Sequence, residues 1–147
     1  MARKRAAIDI FLKTEMDRNL VEAYEDYQEA VRVLKTSPPL EQFCTEEASK
    51  KHYLAIRRFL NIHELIAVGI ANGMFNDHVC YDFWGEILMA CVDDTKPLIK
   101  HIREQVPGRT TYLQLERLAE QWTRQSENRR NSTKSLGGST ISRSLVS

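Results

Sequence analysis

Residues 56–73, IRRFLNIHELIAVGIANG, decide the fold. Ile56, Phe59, Leu60, His63, Ile66, Ala67 and Ile70 recur at spacings of three and four, which places them on one face of a helix. Leu54, Ile62, Leu65 and Val68 widen that face until apolar side chains reach most of the way round, the pattern of a helix buried inside a bundle. Gly73 stands where a left-handed helix C-cap belongs, and Asn76-Asp77 reads as the N-cap of the next helix. So short a turn predicts that the following segment returns antiparallel, making an αα-hairpin the centre of the molecule.

That following segment runs from Asp77 to about Gln105. Val79, Cys80, Phe83, Trp84, Ile87, Leu88 and Cys91 form its first apolar face, and Leu98, Ile99 and Ile102 continue it. Between them Asp93-Asp94-Thr95-Lys96-Pro97 predicts a kink or a restart, since proline is tolerated in the first turn of a helix and the aspartates could cap it. Pro107-Gly108 ends the segment. Thr110 or Thr111 then caps a last helix, with Tyr112, Leu115, Leu118, Ala119 and Trp122 as its stripe.

Upstream of the hairpin, residues 3–35 read as helix, kinked or divided near Asp17. Ile8, Leu12 and Met16 are spaced by four. Leu20, Tyr24, Tyr27, Val31 and Leu34 then follow an a/d-like seam, a candidate interaction surface. Ser37-Pro38-Pro39 terminates this helix, a loop runs to about Cys44, and Thr45-Glu46-Glu47 resembles an N-cap followed by acids where the helix dipole favours them. The fold class is therefore all-α: an antiparallel bundle of four to five helices around a long central hairpin. Residues 1–122 form the bundle domain. From Thr123 the sequence turns to Ser, Thr, Asn, Arg and Gly, a composition that predicts a disordered basic tail over 123–147.

The formal net charge is +1, with basic residues concentrated at the two ends and an excess of acids between them. Such a body is not a nucleic-acid-binding domain by charge, and the tail would give sequence-blind, salt-sensitive contacts at most. Arg3, Lys4 and Arg5 could touch anionic lipid. Three cysteines without a CxxC pair fit a reducing cytoplasm. No apolar run approaches the roughly 20 residues that cross a bilayer.

Catalytic signatures are not found. His63-Glu64 would begin a zinc-protease motif, but position 67 is Ala rather than the second His that the metal needs. No phosphate-cradling glycine loop or nucleophile elbow occurs, no catalytic residue or metal ligand is assigned, and nothing calls for a cofactor. The unusual feature is a polar stripe inside an apolar helix: Arg57, Asn61 and Glu64, flanked by Arg58, with Tyr81, Asp82 and Glu86 expected to face it from the hairpin's second arm. Buried between two helices it would have to be internally hydrogen-bonded, because an unpaired buried charge costs several kcal/mol. It reads as a register-fixing network or as a ligand pocket.

Arg57-Arg58-Phe59-Leu60-Asn61, Glu64, Ala67-Val68-Gly69-Ile70, Asp77, Tyr81-Asp82, Gly85 and Lys96-Pro97, together with the opening Ala2-Arg3-Lys4-Arg5-Ala6-Ala7-Ile8-Asp9 and the helix Leu115-Glu116-Arg117-Leu118-Ala119-Glu120-Gln121-Trp122, resemble a bacterial family: the domain of unknown function numbered four-seven-six-zero. The resemblance covers about residues 3–122 and implies no activity and no catalytic residues. Many members look as though a membrane helix precedes the basic segment; this sequence departs by starting at that segment, which reads either as a soluble variant or as a late start, and in the second case Arg3-Lys4-Arg5 would be a juxtamembrane patch on the cytoplasmic face. The functional expectation is a cytoplasmic, membrane-peripheral interaction or regulatory module, more a binder than an enzyme, with a protein partner or a second copy. The alternative is a ligand sensor or enzyme using Arg57, Asn61, Glu64 and Asp82.

Overall fold

The computed structural model describes residues 17–141, which form five helices and no strand. They are α1 (Asp17–Leu34), α2 (Leu40–Thr45), α3 (Glu47–Ala71), α4 (Asp77–Gln105) and α5 (Leu113–Ile141). The expected helix over residues 3–16, with Ile8, Leu12 and Met16, lies outside the described residues, as does the basic segment Arg3-Lys4-Arg5.

The turn between α3 and α4 forms as its residues dictate. Gly73 takes φ 71°. Its amide donates to the Ile70 carbonyl at 3.0 Å and the Met74 amide donates to the Gly69 carbonyl at 2.8 Å, the paired bonds of a Schellman motif. Asn76 caps α4, its side chain accepting from the Val79 amide at 3.1 Å. Phe75 folds back so that its ring lies directly over Gly69, where a β-carbon would overlap it. Gly69→Ala is therefore expected to displace the ring and to destabilise the fold by about 1–3 kcal/mol. In a Phe75→Ala background the same change should become neutral or stabilising, because alanine is the better helix former by about 1 kcal/mol. Urea melts of the four chains read both signs.

The hairpin is not, however, a pair of closely packed rods. α3 packs most broadly on α1, α5 lies against both α3 and α4, and direct contact between α3 and α4 is short. The reason lies in side-chain bulk. α5 contributes Leu115 and Trp122, and the turn before it contributes Tyr112; all three are essentially fully buried and fill the space that the hairpin arms leave. On the other side Tyr27 of α1 stacks on Phe59 of α3 with ring centroids 4.1 Å apart. Cys80, Trp84, Leu88, Cys91, Leu98 and Ile99 of α4 complete the core. All three cysteines are free thiols.

Four local expectations are corrected. The loop before Cys44 contains the short helix α2, which buries Phe43. Thr45 is not the cap of α3: it is still inside α2, its hydroxyl donating to the Glu41 carbonyl at 2.7 Å, and Glu46 takes the cap position without a side-chain bond. α4 neither restarts nor stops at Pro97. It is one helix of 29 residues, and Asp94 pairs with Lys35 at 2.9 Å instead of capping. The buried Thr95 hydroxyl donates to the Cys91 carbonyl at 2.6 Å, so this turn holds its polar groups without a cap. Finally, α5 continues helically to Ile141 where composition predicts disorder from Thr123. Ser132 and Thr133 each bond back one turn to a carbonyl, and Arg129 lies over the Tyr81 ring at 5.3 Å. No side chain from 123 to 137 is buried.

Candidate functional site

The polar residues of α3 face α5, not α4. The Tyr112 hydroxyl donates to Asn61 Oδ1 at 2.7 Å. The Leu115 amide, in the first turn of α5, donates to Glu64 Oε2 at 2.8 Å. Glu64 thus supplies from another helix the cap that Thr110 and Thr111 do not provide. A carboxylate at a helix N-terminus satisfies an orphan amide and meets the positive end of the dipole. Burial pushes the Glu64 carboxyl above its ordinary range, and the amide bonds oppose that rise. Tyr112 pays for its place in conformation, at φ 63°, a left-handed angle unusual for a bulky side chain. Its hydroxyl bond and its burial hold it there. Glu64→Ala should cost about 1–2 kcal/mol, the usual loss of an N-cap, with thermal or urea unfolding as the measurement.

Two further clasps hold α5. Arg103 donates to Glu116 and, at 2.8 Å, to the Thr111 carbonyl. At the far end the Trp122 indole donates to Asp77 Oδ1 at 2.7 Å, and Tyr81 meets the Trp122 ring edge-on at 5.4 Å.

Residues 1–122 match the family model described as a domain of unknown function, DUF4760. The chain belongs to the DUF4760 family. The match ends at Trp122, the last buried residue of α5 among the described side chains and the one that clasps Asp77. No curated protein and no solved structure matches the chain.

The six residues singled out in the DUF4760 sequence do not converge. Arg57, Asn61 and Glu64 line the start of α5. Tyr81 sits at the opposite end with Trp122, and Arg58 and Asp82 are exposed. The charged stripe is therefore not sealed between α3 and α4, and Asp82 shares no site with Arg57. Nor is the α1 seam an outer surface. Tyr27 and Val31 are buried, Tyr24 and Leu34 are half-buried against the core, and Tyr24 and Tyr27 both contact Phe59. The side chain of Leu20 lies outside the described ones. The a/d spacing was that of a helix packing on its own bundle.

Two features escape sequence reasoning. The first is His63, fully buried and in ring contact with Phe59 at 4.4 Å. Nδ1 donates to the Phe59 carbonyl at 2.8 Å, while Nε2 has no partner. Burial lowers its pKa to about 4. The sequence shows only an imidazole on an apolar face. The second is a cavity of about 360 Å³ beside Arg57, walled by α2, α3, α4 and the connection to α5. Its residues come from four separate stretches of chain, so no motif announces it.

Among the described residues no group of three His, Cys, Asp or Glu side chains could hold a metal ion, and no helix is long and apolar enough to cross a membrane. The carboxylates nearest α5 bond to a tyrosine-gripped turn, an indole and a guanidinium. None stands beside a nucleophile in the relay that acyl transfer requires.

Proposed function

We propose that this DUF4760 domain is a helical interaction module whose outer α3 face docks an amphipathic helix of a partner protein. One observation carries the reading: Leu54, Leu65 and Val68 remain 53%, 58% and 37% exposed on the same side of a 25-residue helix. With Arg58 and Asn61, also exposed, they follow one another at spacings of four, three, four and three. That is the seam of a two-helix contact; Asn61, at its edge, turns its amide oxygen to Tyr112, and among the described residues Leu54, Arg58, Leu65 and Val68 stay open to a further helix. Lys50, Lys51 and Arg58 make one end of the stripe basic, so the complementary helix carries acids at that end and aliphatic side chains at the other.

A photo-crosslinker in place of Leu65, activated in the host cell, tests this. The expected result is a discrete adduct whose contact segment, mapped by mass spectrometry, is an acidic amphipathic helix of another protein, and which disappears with Arg58→Glu. An adduct of twice the chain mass would reassign the stripe to self-association. Absence of any discrete adduct would remove the docking function.

A further inference from the structure

Several grooves enter the bundle, and they differ in the acids set among their bases. In the groove between α1 and α4, Lys35 is paired with Asp94 and Arg32 with Glu29. The grooves between α4 and α5 set Lys96, Lys100, Arg103 and Arg124 among Asp93, Glu116 and Glu120, with Arg103 paired to Glu116. The cavity of about 360 Å³ beside α2 is different. Arg57 and Arg109 line it, with His101, and Glu41 is its one acid. Among the described residues no carboxylate comes within 4.0 Å of either guanidinium.

Arg57 is also held in place. It is half-buried, its Nη1 donates to the Tyr53 hydroxyl at 3.1 Å, and its guanidinium lies 5.9 Å from the Tyr53 ring centroid and 5.4 Å from that of Tyr112. Two tyrosine faces fix the plane of the cation without neutralising it. A guanidinium uses five N–H donors in a rigid fork that fits an oxyanion, and the Tyr53 and Tyr112 hydroxyls take up only part of that capacity. Thr45 and Thr111 stand on the same walls, and Ile102 and Val106 give them an apolar part. The size falls in the range of small-molecule sites, about 300–1,000 Å³.

We infer that this cavity binds a small molecule bearing a phosphate or carboxylate group, with Arg57 as the fixed anchor, Arg109 closing from the connection to α5, and the organic part against Ile102 and Val106. The site is separate from the docking stripe. It would give the module a way to answer a metabolite, because its walls include the turn from which α5 starts.

Cys44 provides the readout. It lines the cavity and is half-buried, whereas Cys80 and Cys91 are buried, so iodoacetamide should modify Cys44 first. The probes are phenyl phosphate, benzoate and inorganic phosphate, compared with chloride at equal ionic strength on the full chain. The expected result is saturable slowing of Cys44 alkylation by an oxyanion probe but not by chloride. Amide shifts in a ¹⁵N spectrum should cluster at residues 41–45, 53–57 and 101–111. Arg57→Gln should weaken binding about tenfold or more, the scale of a charge-assisted bond. Arg109→Gln, at an exposed position that cannot upset the core, should weaken it about threefold. Phenyl phosphate against benzoate tells which oxyanion is preferred. Equal effects of chloride, shifts spread over all basic surfaces, or unchanged affinity in a folded Arg109→Gln and Arg57→Gln pair would each overturn the site.

Discussion

Replacing Trp122 by alanine is expected to remove about 3–5 kcal/mol of stability, much of what a domain of this size has. Trp122 is the largest fully buried side chain, and three losses coincide in it. The indole volume leaves a cavity between α3 and α4 that the neighbours cannot close. Asp77 loses the donor held at 2.7 Å, and Tyr81 loses the ring it meets edge-on. Trp122→Phe separates these terms. It keeps most of the apolar bulk and removes the Asp77 bond, for a loss of about 1–3 kcal/mol. Ending the chain just after Trp122 and Thr123 gives the opposite expectation. Among the described side chains beyond Trp122 none is buried, so the stability read from the urea melt should stay within about 0.5 kcal/mol of the full chain. A large loss on that truncation would mean that the helix beyond Trp122 contributes packing.

Acid is expected to act through His63. In the fold its pKa is lowered to about 4 by burial, against about 6.5 for a free histidine. The unfolded chain therefore takes up a proton at a pH where the folded chain cannot. Stability is fully present above about pH 6.5 and falls as pH drops toward 4, by about 3 kcal/mol across that window. Glu64 works the other way. Its carboxyl is raised on folding, so the folded state holds its proton more readily and gains slightly in the lower part of the same range. None of the other three histidines is buried, so the slope belongs to His63. His63→Leu should flatten it without destabilising the protein at neutral pH, since the Phe59 carbonyl also faces its own helical turn and Nε2 is unsatisfied in any case. Urea titrations from pH 7.5 to 4.5 on the two chains measure this. An unchanged slope in His63→Leu would place the acid sensitivity elsewhere.

Much of the architecture is legible in local signals. Gly73 and Asn76 specify the α3–α4 turn by conformation and capping, Pro38-Pro39 ends α1, and the spacing Tyr112, Leu115, Leu118, Ala119, Trp122 gives the buried stripe of α5. What local signals do not carry is which helix meets which. The patterns of α3 and α4 say that each is buried broadly, and a short turn favours pairing them. The space between them is taken by Trp122 and Tyr112, whose size is visible in the sequence but whose destination is not. The polar stripe was identifiable because Asn61 and Glu64 interrupt an apolar helix. The sequence points it toward Tyr81 and Asp82, whereas the structure gives Glu64 the Leu115 amide, a backbone group about which side-chain patterns are silent. Pro97 misleads for a related reason: a proline and two aspartates satisfy every local requirement of a new helix start, yet packing on both sides keeps α4 whole.

The proposed anion site and the docking stripe sit on either side of one structural claim, that the polar residues of α3 serve to start α5. Amide exchange at Leu115 tests that claim most directly. With Glu64 in place, Leu115 should exchange only as slowly as the core amide of Leu88 permits. In Glu64→Ala, after correction for the change in global stability, Leu115 should exchange at least tenfold faster while Leu88 does not. If Leu115 is equally protected with and without the carboxylate, then α5 does not start on α3, and the placement of the whole last helix is wrong.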